Sequence, residues 1–298
     1  MNAQTLTIRE VLSRTTAHFN ERGIDSARLD AEVLLSRALS CDRLALYLEH
    51  DKPLTESELS AYRELVRRRA RREPVAYILG EKEFHGLSFA VGPGVLVPRP
   101  DTETLVDAVL ADLAGVERPR ILDLGTGSGA ILLSVLHEVP EAAGVGVDVS
   151  AEALAFARTN GAALGLGDRV EWRQGSWYEA LRPGERFDRI LANPPYVASR
   201  EWGTLAPDIT GFEPRTALVA AEEGLADLRR IAAGASNHLA PGGEALVEIG
   251  HRQGAAVAAI FRDAGGFESV AVLPDAGRRD RVVRAVGAGR PVVGNHQG

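Results

Sequence analysis

Ile121-Leu122-Asp123-Leu124-Gly125-Thr126-Gly127-Ser128-Gly129-Ala130-Ile131-Leu132-Leu133-Ser134-Val135-Leu136 decides the fold class. The first four residues read as a short buried strand and the last seven as an apolar helix, with a glycine turn between them. Strand, glycine turn, helix is the setting a nucleotide-type cofactor requires, because glycines let a ligand approach the backbone and the next helix's N-terminus. A second apolar run, Gly144-Val145-Gly146-Val147, ends in Asp148. That acid falls about 20 residues past the glycines, where it can grip ribose hydroxyls.

Outward from this stretch, strands and helices alternate. Apolar runs at 121–124, 145–149, 170–172, 189–192, 245–249, 270–273 and 281–286 give seven candidate strands. Helical patterns between the first several predict an α/β fold with a mainly parallel, doubly wound sheet. Only Pro274-Asp275-Ala276-Gly277-Arg278-Arg279-Asp280 joins the last two runs. A crossover helix does not fit there, so that pair is expected to be antiparallel.

Residues 1–80 carry no strand signal. Leu6, Ile8, Val11 and Leu12 begin one amphipathic helix, stopped by Gly23. Leu29, Val33, Leu34 and Leu35 mark a second, and Leu59, Leu65 and Val66 a third that ends in Arg67-Arg68-Arg69-Ala70-Arg71-Arg72. The arginine run reads first as a solvated helix end, where cations suit the macrodipole, and alternatively as a contact surface for RNA or protein. Glu83-Phe84-His85-Gly86-Leu87-Ser88-Phe89-Ala90-Val91 and Val95-Leu96-Val97 flank Gly92-Pro93-Gly94 and suggest a β-hairpin turning at those glycines. Pro98 and Pro100 stiffen its exit, and Asp101 or Thr102 can cap the helix that follows. The expected organisation is a helical domain over 1–80, a hairpin linker over 81–100, the α/β domain over 101–287 and a disordered tail over 288–298.

Asn193-Pro194-Pro195-Tyr196 ends the run Phe187-Asp188-Arg189-Ile190-Leu191-Ala192. Proline fixes φ and has no N–H, so this backbone offers acceptors and few donors. The Asn193 side-chain oxygen and the Pro194 carbonyl can together take both hydrogens of a planar NH2 group. Tyr196 can lie against its flat face. The arrangement suits an amide or an exocyclic amine whose nitrogen must be aimed at an electrophile.

Glycine turn, spaced acid and Asn-Pro-Pro-Tyr, in that order, resemble the class I S-adenosylmethionine (SAM) methyltransferases that act on amino groups. Pro98-Arg99-Pro100-Asp101-Thr102-Glu103, Phe212-Glu213-Pro214 and Ala217-Leu218 extend the resemblance to the PrmC/HemK family over nearly the whole chain. The resemblance implies a seven-stranded, Rossmann-like methyltransferase domain. It also implies methylation of the side-chain amide (N5) of the glutamine in the Gly-Gly-Gln loop of class-1 peptide chain release factors. Carried over residue by residue, Gly125, Thr126, Gly127, Ser128 and Gly129 hold the methionine part of SAM. Asp148 holds the ribose, Trp177 packs near the adenine, and Asn193 faces both cofactor and substrate. Asn193, Pro194, Pro195 and Tyr196 bind the substrate, with Asn193, Pro194 and Tyr196 catalytic. Ser176 stands where relatives commonly carry an acid. Asp123, two residues before the first glycine, is close enough to meet the ammonium of SAM.

The glycine segment also fits G-x-G-x-x-A, so a nicotinamide oxidoreductase is an alternative. Asp123, the Asn193 element and the lack of a Tyr-x-x-x-Lys pair count against it. An amino-methyltransferase of adenine N6 or guanine N2 is the other enzyme reading, and a non-catalytic SAM-fold module a third. The net charge of −7 argues against a nucleic-acid substrate. Seven scattered histidines and the single Cys41 leave no metal-site spacing and no intrachain disulfide. Neither a signal-peptide profile nor an apolar run of about 20 residues is present, so a cytoplasmic monomer, away from membranes, is expected.

Overall fold

The computed structural model describes residues 6–113 and 116–289. Contacts divide the chain into one unit of Met1–Glu81 with Ala206–Phe212 and another of Lys82–Leu205 with Glu213–Gly298.

The first unit contains α1 (Ile8–Glu21), α2 (Ala27–Leu39), α3 (Arg43–Leu48), α4 (Glu56–Ala70) and α5 (Val75–Leu79). Thr7 with Glu10 and Thr55 with Glu58 form capping boxes that satisfy free N–H groups at the starts of α1 and α4. Ile8, Leu12, Phe19, Leu34, Leu35 and Tyr62 fill the core. The short helices α3 and α5 leave no trace in the periodicity because each completes fewer than two turns. Leu29, expected on the inner face, is 46% exposed; Ala27, Ala31, Leu34 and Leu35 make the buried stripe.

The arginine run is largely consumed inside this unit. Arg69, 4% exposed, pairs with Asp30 at 2.7 Å and with Asp208 of the Ala206–Phe212 segment at 2.8 Å. Arg72 also holds Asp208, Arg68 pairs with Glu73 and Arg67 with Glu64. Removing one member of a buried ion cluster typically costs about 3–5 kcal/mol, because the partner charge stays behind unpaired.

The hairpin is β1 (Glu81–Phe84) with β2 (Leu87–Ala90). It turns at His85 and Gly86, whose φ values are 49° and 73°, and not at Gly92-Pro93-Gly94. The turn lies inside the first apolar stretch, where Gly86 supplies a left-handed position.

The second unit continues with α6 (Glu103–Asp112), β3 (Arg120–Leu124), α7 (Ala130–Glu138), β4 (Ala143–Asp148), α8 (Ala151–Ala163), β5 (Val170–Gln174) and β6 (Phe187–Ala192). A two-residue parallel ladder, β7 (Val197–Ala198) with β8 (Val219–Ala220), brackets the excursion that carries α9 (Pro207–Phe212) of the first unit. Next come α10 (Ala221–Gly224), α11 (Ala226–His238), β9 (Leu239–Glu248), α12 (Gly254–Ala264), β10 (Phe267–Pro274) and β11 (Asp280–Gly287).

Seven strands form one sheet in the order β10-β11-β9-β6-β3-β4-β5. β3 pairs in parallel with β4 and β6, β4 with β5, and β6 with β9. β11 inserts antiparallel between β10 and β9, with Val272 opposite Val283. Alternate residues face opposite layers. Leu122, Ile190 and Val247 pack with Leu228 and Phe261, whereas Ile121, Leu191 and Leu246 pack with Val109 and Leu132. Strand order reverses between β3 and β6, and the crevice outside such a switch point is where open α/β sheets bind ligands. The glycine turn and the Asn193 element emerge there. The expected tail lies almost wholly past Gly289, outside the described residues.

Candidate active site

Gly125, Gly127 and Gly129 have φ values of 72°, 56° and 81°. That left-handed backbone is costly for residues with a Cβ. It turns the chain from β3 into α7. Asp148, the last residue of β4, fastens the turn: Oδ2 accepts from Gly127 N–H and Oδ1 from Ser150 N–H, both at 2.9 Å. Each oxygen keeps a lone pair for a further donor. Burial nonetheless holds the Asp148 carboxyl above its ordinary range. Trp177, at φ 49°, lays its indole across Gly125, where an added Cβ would come within 3.5 Å of the ring. A non-glycine residue held in this conformation is the kind of strain that gathers at ligand sites.

A cavity of about 410 Å³ opens at these residues. Gly125, Thr126, Gly127 and Ser128 form one side; Asp148, Ser176 and Trp177 another; Asn193 and Pro195 a third. Gly129 stands behind this wall against Leu133 and Trp172.

Asp123 does not line the cavity. It is wholly buried beneath the turn, with Oδ2 accepting from the Thr126 hydroxyl at 2.6 Å and Oδ1 lacking a hydrogen-bond partner among the described residues. The sequence spacing to Gly125 suggests a ligand contact; the Thr126 side chain lies in between. Burial pushes the Asp123 carboxyl up to about 7, despite the Thr126 hydrogen bond. An unfolded aspartate titrates near ~3.9, so between that pH and about 7 the folded protein binds the extra proton. Stability should therefore fall as pH rises through this window and then level off. Asp123→Asn should flatten that part of the fall, measured as denaturant midpoints at successive pH values. The remaining slope belongs to other carboxyls raised by burial, Asp148 and Glu248 among them. An unchanged slope in the variant would contradict the assignment.

Thr102 does not cap α6. Its backbone is already helical and its side chain makes no cap hydrogen bond; its Oγ1 instead accepts from Asn193 Nδ2 at 3.2 Å. Pro194 and Tyr196 are not among the cavity-lining residues. The Tyr196 ring packs against the core under the sheet. Its hydroxyl donates to Glu248 Oε1 at 3.2 Å, and burial raises its pKa. Gln253 Nε2 donates to the Tyr196 carbonyl at 3.0 Å. The element is thus held at both ends, with Asn193 and Pro195 at the opening.

Glu213, 6% exposed, accepts from Val97 N–H at 3.1 Å and pairs with Arg99. The two sequence segments on either side of the α/β core are therefore joined by one buried carboxylate. Thr102, Glu248, Gln253 and the Glu213 tie are site-supporting contacts that periodicity does not reveal. The one local signal is a carboxylate, Glu248, inside the apolar run 245–249.

Two family models match the chain: the PrmC N-terminal domain over residues 10–80 and the methyltransferase small domain over residues 100–208. A release factor glutamine methyltransferase of Geobacter sulfurreducens is 43% identical over 277 residues, covering 93% of this chain and 95% of that protein. One of Xylella fastidiosa is 46% identical over 255 residues, covering 86% and 91%. The chain belongs to the release factor glutamine methyltransferase family. A crystal structure of a methyltransferase from Pyrococcus furiosus superposes with a TM-score of 0.53 at 18% identity, covering 74% of this chain and 98% of that one. That likeness concerns the fold alone, and the fold is that of the class I methyltransferases.

Among the described residues, no group of three or more His, Cys, Asp or Glu side chains could hold a metal ion. No described helix is long and apolar enough to cross a membrane.

Proposed function

We propose that this methyltransferase carries a methyl group from SAM to the side-chain amide nitrogen (N5) of the glutamine in the Gly-Gly-Gln motif of class-1 release factors. The observation that carries the reading is the placement of Asn193 and Pro195 on the cavity walled by the glycine turn and Asp148. SAM supplies an electrophilic methyl on a sulfonium. Its fit rests on a turn stripped of Cβ atoms at Gly125 and Gly127 and on the unused lone pairs of Asp148, which suit two ribose hydroxyls. Trp177 offers a flat apolar face for the adenine. Ser176 offers a hydroxyl to the adenine amine.

An amide nitrogen is a poor nucleophile because its lone pair is delocalised into the carbonyl. Asn193 Oδ1 and the Pro194 carbonyl accept both amide hydrogens and turn the lone pair toward the methyl. Well-oriented pairs gain roughly 7–11 kcal/mol over free encounter in favourable systems. Pro195 keeps the preceding backbone rigid, and Tyr196 anchors the element from beneath. The helical unit of residues 1–80 docks the protein substrate.

SAM and S-adenosylhomocysteine should raise the melting temperature, and NAD should not. Asp148→Ala should weaken their binding by about 1.5–3 kcal/mol, the range for a hydrogen bond to a charged group. Calorimetry that finds NAD bound, or Asp148→Ala with unchanged affinity, would count against the cofactor. Methyl-labelled SAM should label an intact class-1 release factor; label in DNA or rRNA instead would hand the case to the nucleic-acid alternative.

A further inference from the structure

The ion pairs of the helical unit use only part of its arginine run. Arg68, Arg69 and Arg72 turn to Glu73, Asp30 and Asp208. Arg67 and Arg71 join Arg63 instead, in a row at i, i+4 and i+8 that follows one side of α4 to its C-cap. A matching row, Arg14, His18 and Arg22, follows α1 to its own C-cap. Both rows line one groove of about 510 Å³. Val11, Leu59, Val66 and Ala70 line it too; Val11 and Leu59 are buried at its floor, whereas the five arginines are exposed at its rim.

No acidic side chain lines this groove, in a chain whose 41 acids outnumber its 34 lysines and arginines. Arg63 pairs with Glu56 at 2.6 Å and Arg67 with Glu64, but such exposed pairs hold a side chain only weakly. Arg14, Arg22 and Arg71 make no ion pair among the described residues. Cations in the last turn of a helix suit its dipole, an effect that fades beyond that turn. Arg14 and Arg63 stand near the middles of their helices, so the dipole does not account for them.

A row from i to i+8 is about 12 Å long, or roughly two turns of a facing helix. An apolar floor between basic rims fits an amphipathic helix that presents aliphatic side chains inward and carboxylates along both edges. A nucleic-acid backbone would meet the arginines but leave the floor unmatched. Bases would find no ring to stack on, since the one aromatic side chain of the lining, Tyr62, is 2% exposed.

We propose that the α1–α4 groove is the docking site for an acidic amphipathic helix on the surface of the protein substrate. The proposal rests on the reading of an intact class-1 release factor as that substrate.

The test compares Arg14→Glu with Arg71→Glu, combined in one protein, against wild type in steady-state kinetics. For the intact factor, KM should rise by about 10–100-fold, because like charges then face each other across the contact. The kcat at saturating factor, kcat/KM for a short Gly-Gly-Gln peptide and the Kd of S-adenosylhomocysteine should stay near wild type. Added salt should lower wild-type kcat/KM for the factor and leave that for the peptide level. Arg14→Gln with Arg71→Gln should act in the same direction and carries the test if the charge reversal fails to fold. An unchanged KM for the factor in the variants, or an equal loss for factor and peptide, would overturn the proposal. If the factor kinetics stay intact while the variants lose affinity for a single-stranded RNA, the groove belongs to nucleic acid. If they stay intact while the variants break a dimer seen by sedimentation, it belongs to a second copy of the chain; either result overturns the proposal. Wild-type protein that leaves the factor unmethylated would strike the function itself, and this proposal with it. Active wild type with insensitive variants would strike the proposal alone.

Discussion

Replacing Asn193 with alanine is expected to cut methyl transfer by about 10²-fold or more, the order seen when one preorganised polar group is removed from a reaction centre. Affinity for S-adenosylhomocysteine should stay nearly intact, because the glycine turn and Asp148 stand on other strands, β3 and β4. The substitution also strips Thr102 of the donor now 3.2 Å from its oxygen, but leaves the backbone of the element and its anchor at Glu248 in place. The loss should therefore fall on kcat at saturating substrate. Asn193→Asp keeps an acceptor toward the cavity but loses the donor to Thr102 and adds charge, so partial activity is expected. Near-normal turnover of Asn193→Ala with saturating release factor would end the amide-clamp account.

A second large effect concerns how much of the substrate must be present. Every residue lining the cavity belongs to the second unit, whereas residues 10–80 match the PrmC N-terminal domain and contribute nothing to that lining. A Gly-Gly-Gln peptide fills the opening and little else; a whole factor has surface left with which to dock. Two or three well-buried contacts on that surface suffice for about 3 kcal/mol, or roughly 10²-fold. An intact class-1 release factor is accordingly expected to exceed a short Gly-Gly-Gln peptide by about that ratio in kcat/KM. Equal values for peptide and factor in steady-state kinetics would remove the docking role from the helical unit.

Local chemistry made the central features legible. The strand, glycine turn and helix of 121–136 could be read because apolar runs and left-handed glycines are properties of neighbouring residues. The antiparallel β10–β11 pair followed from a connection too short for a helix. Relations between distant segments stayed hidden. Nothing along the chain says that β11 inserts between β9 and β10, since pairing partners are set by the whole sheet. Gly92-Pro93-Gly94 is a stronger turn signal than His85-Gly86, yet the hairpin closes at the latter. Thr102 has the chemistry of a cap, but a 3-10 turn over Pro100–Thr102 makes its backbone helical already and frees its hydroxyl for Asn193, 91 positions away. Asn193 itself was legible as an acceptor. Its hydrogen bond to Thr102 is another matter, since only the folded chain brings those two residues together.

Tandem mass spectrometry of an intact class-1 release factor after incubation with this protein and SAM tests the central claim most directly. A mass gain of about 14 Da, one methyl in place of one hydrogen, should appear on the side chain of the glutamine in its Gly-Gly-Gln motif and disappear with Asn193→Ala. A methyl group on any other residue, or an unmodified factor beside a SAM-competent wild-type protein, would contradict the account.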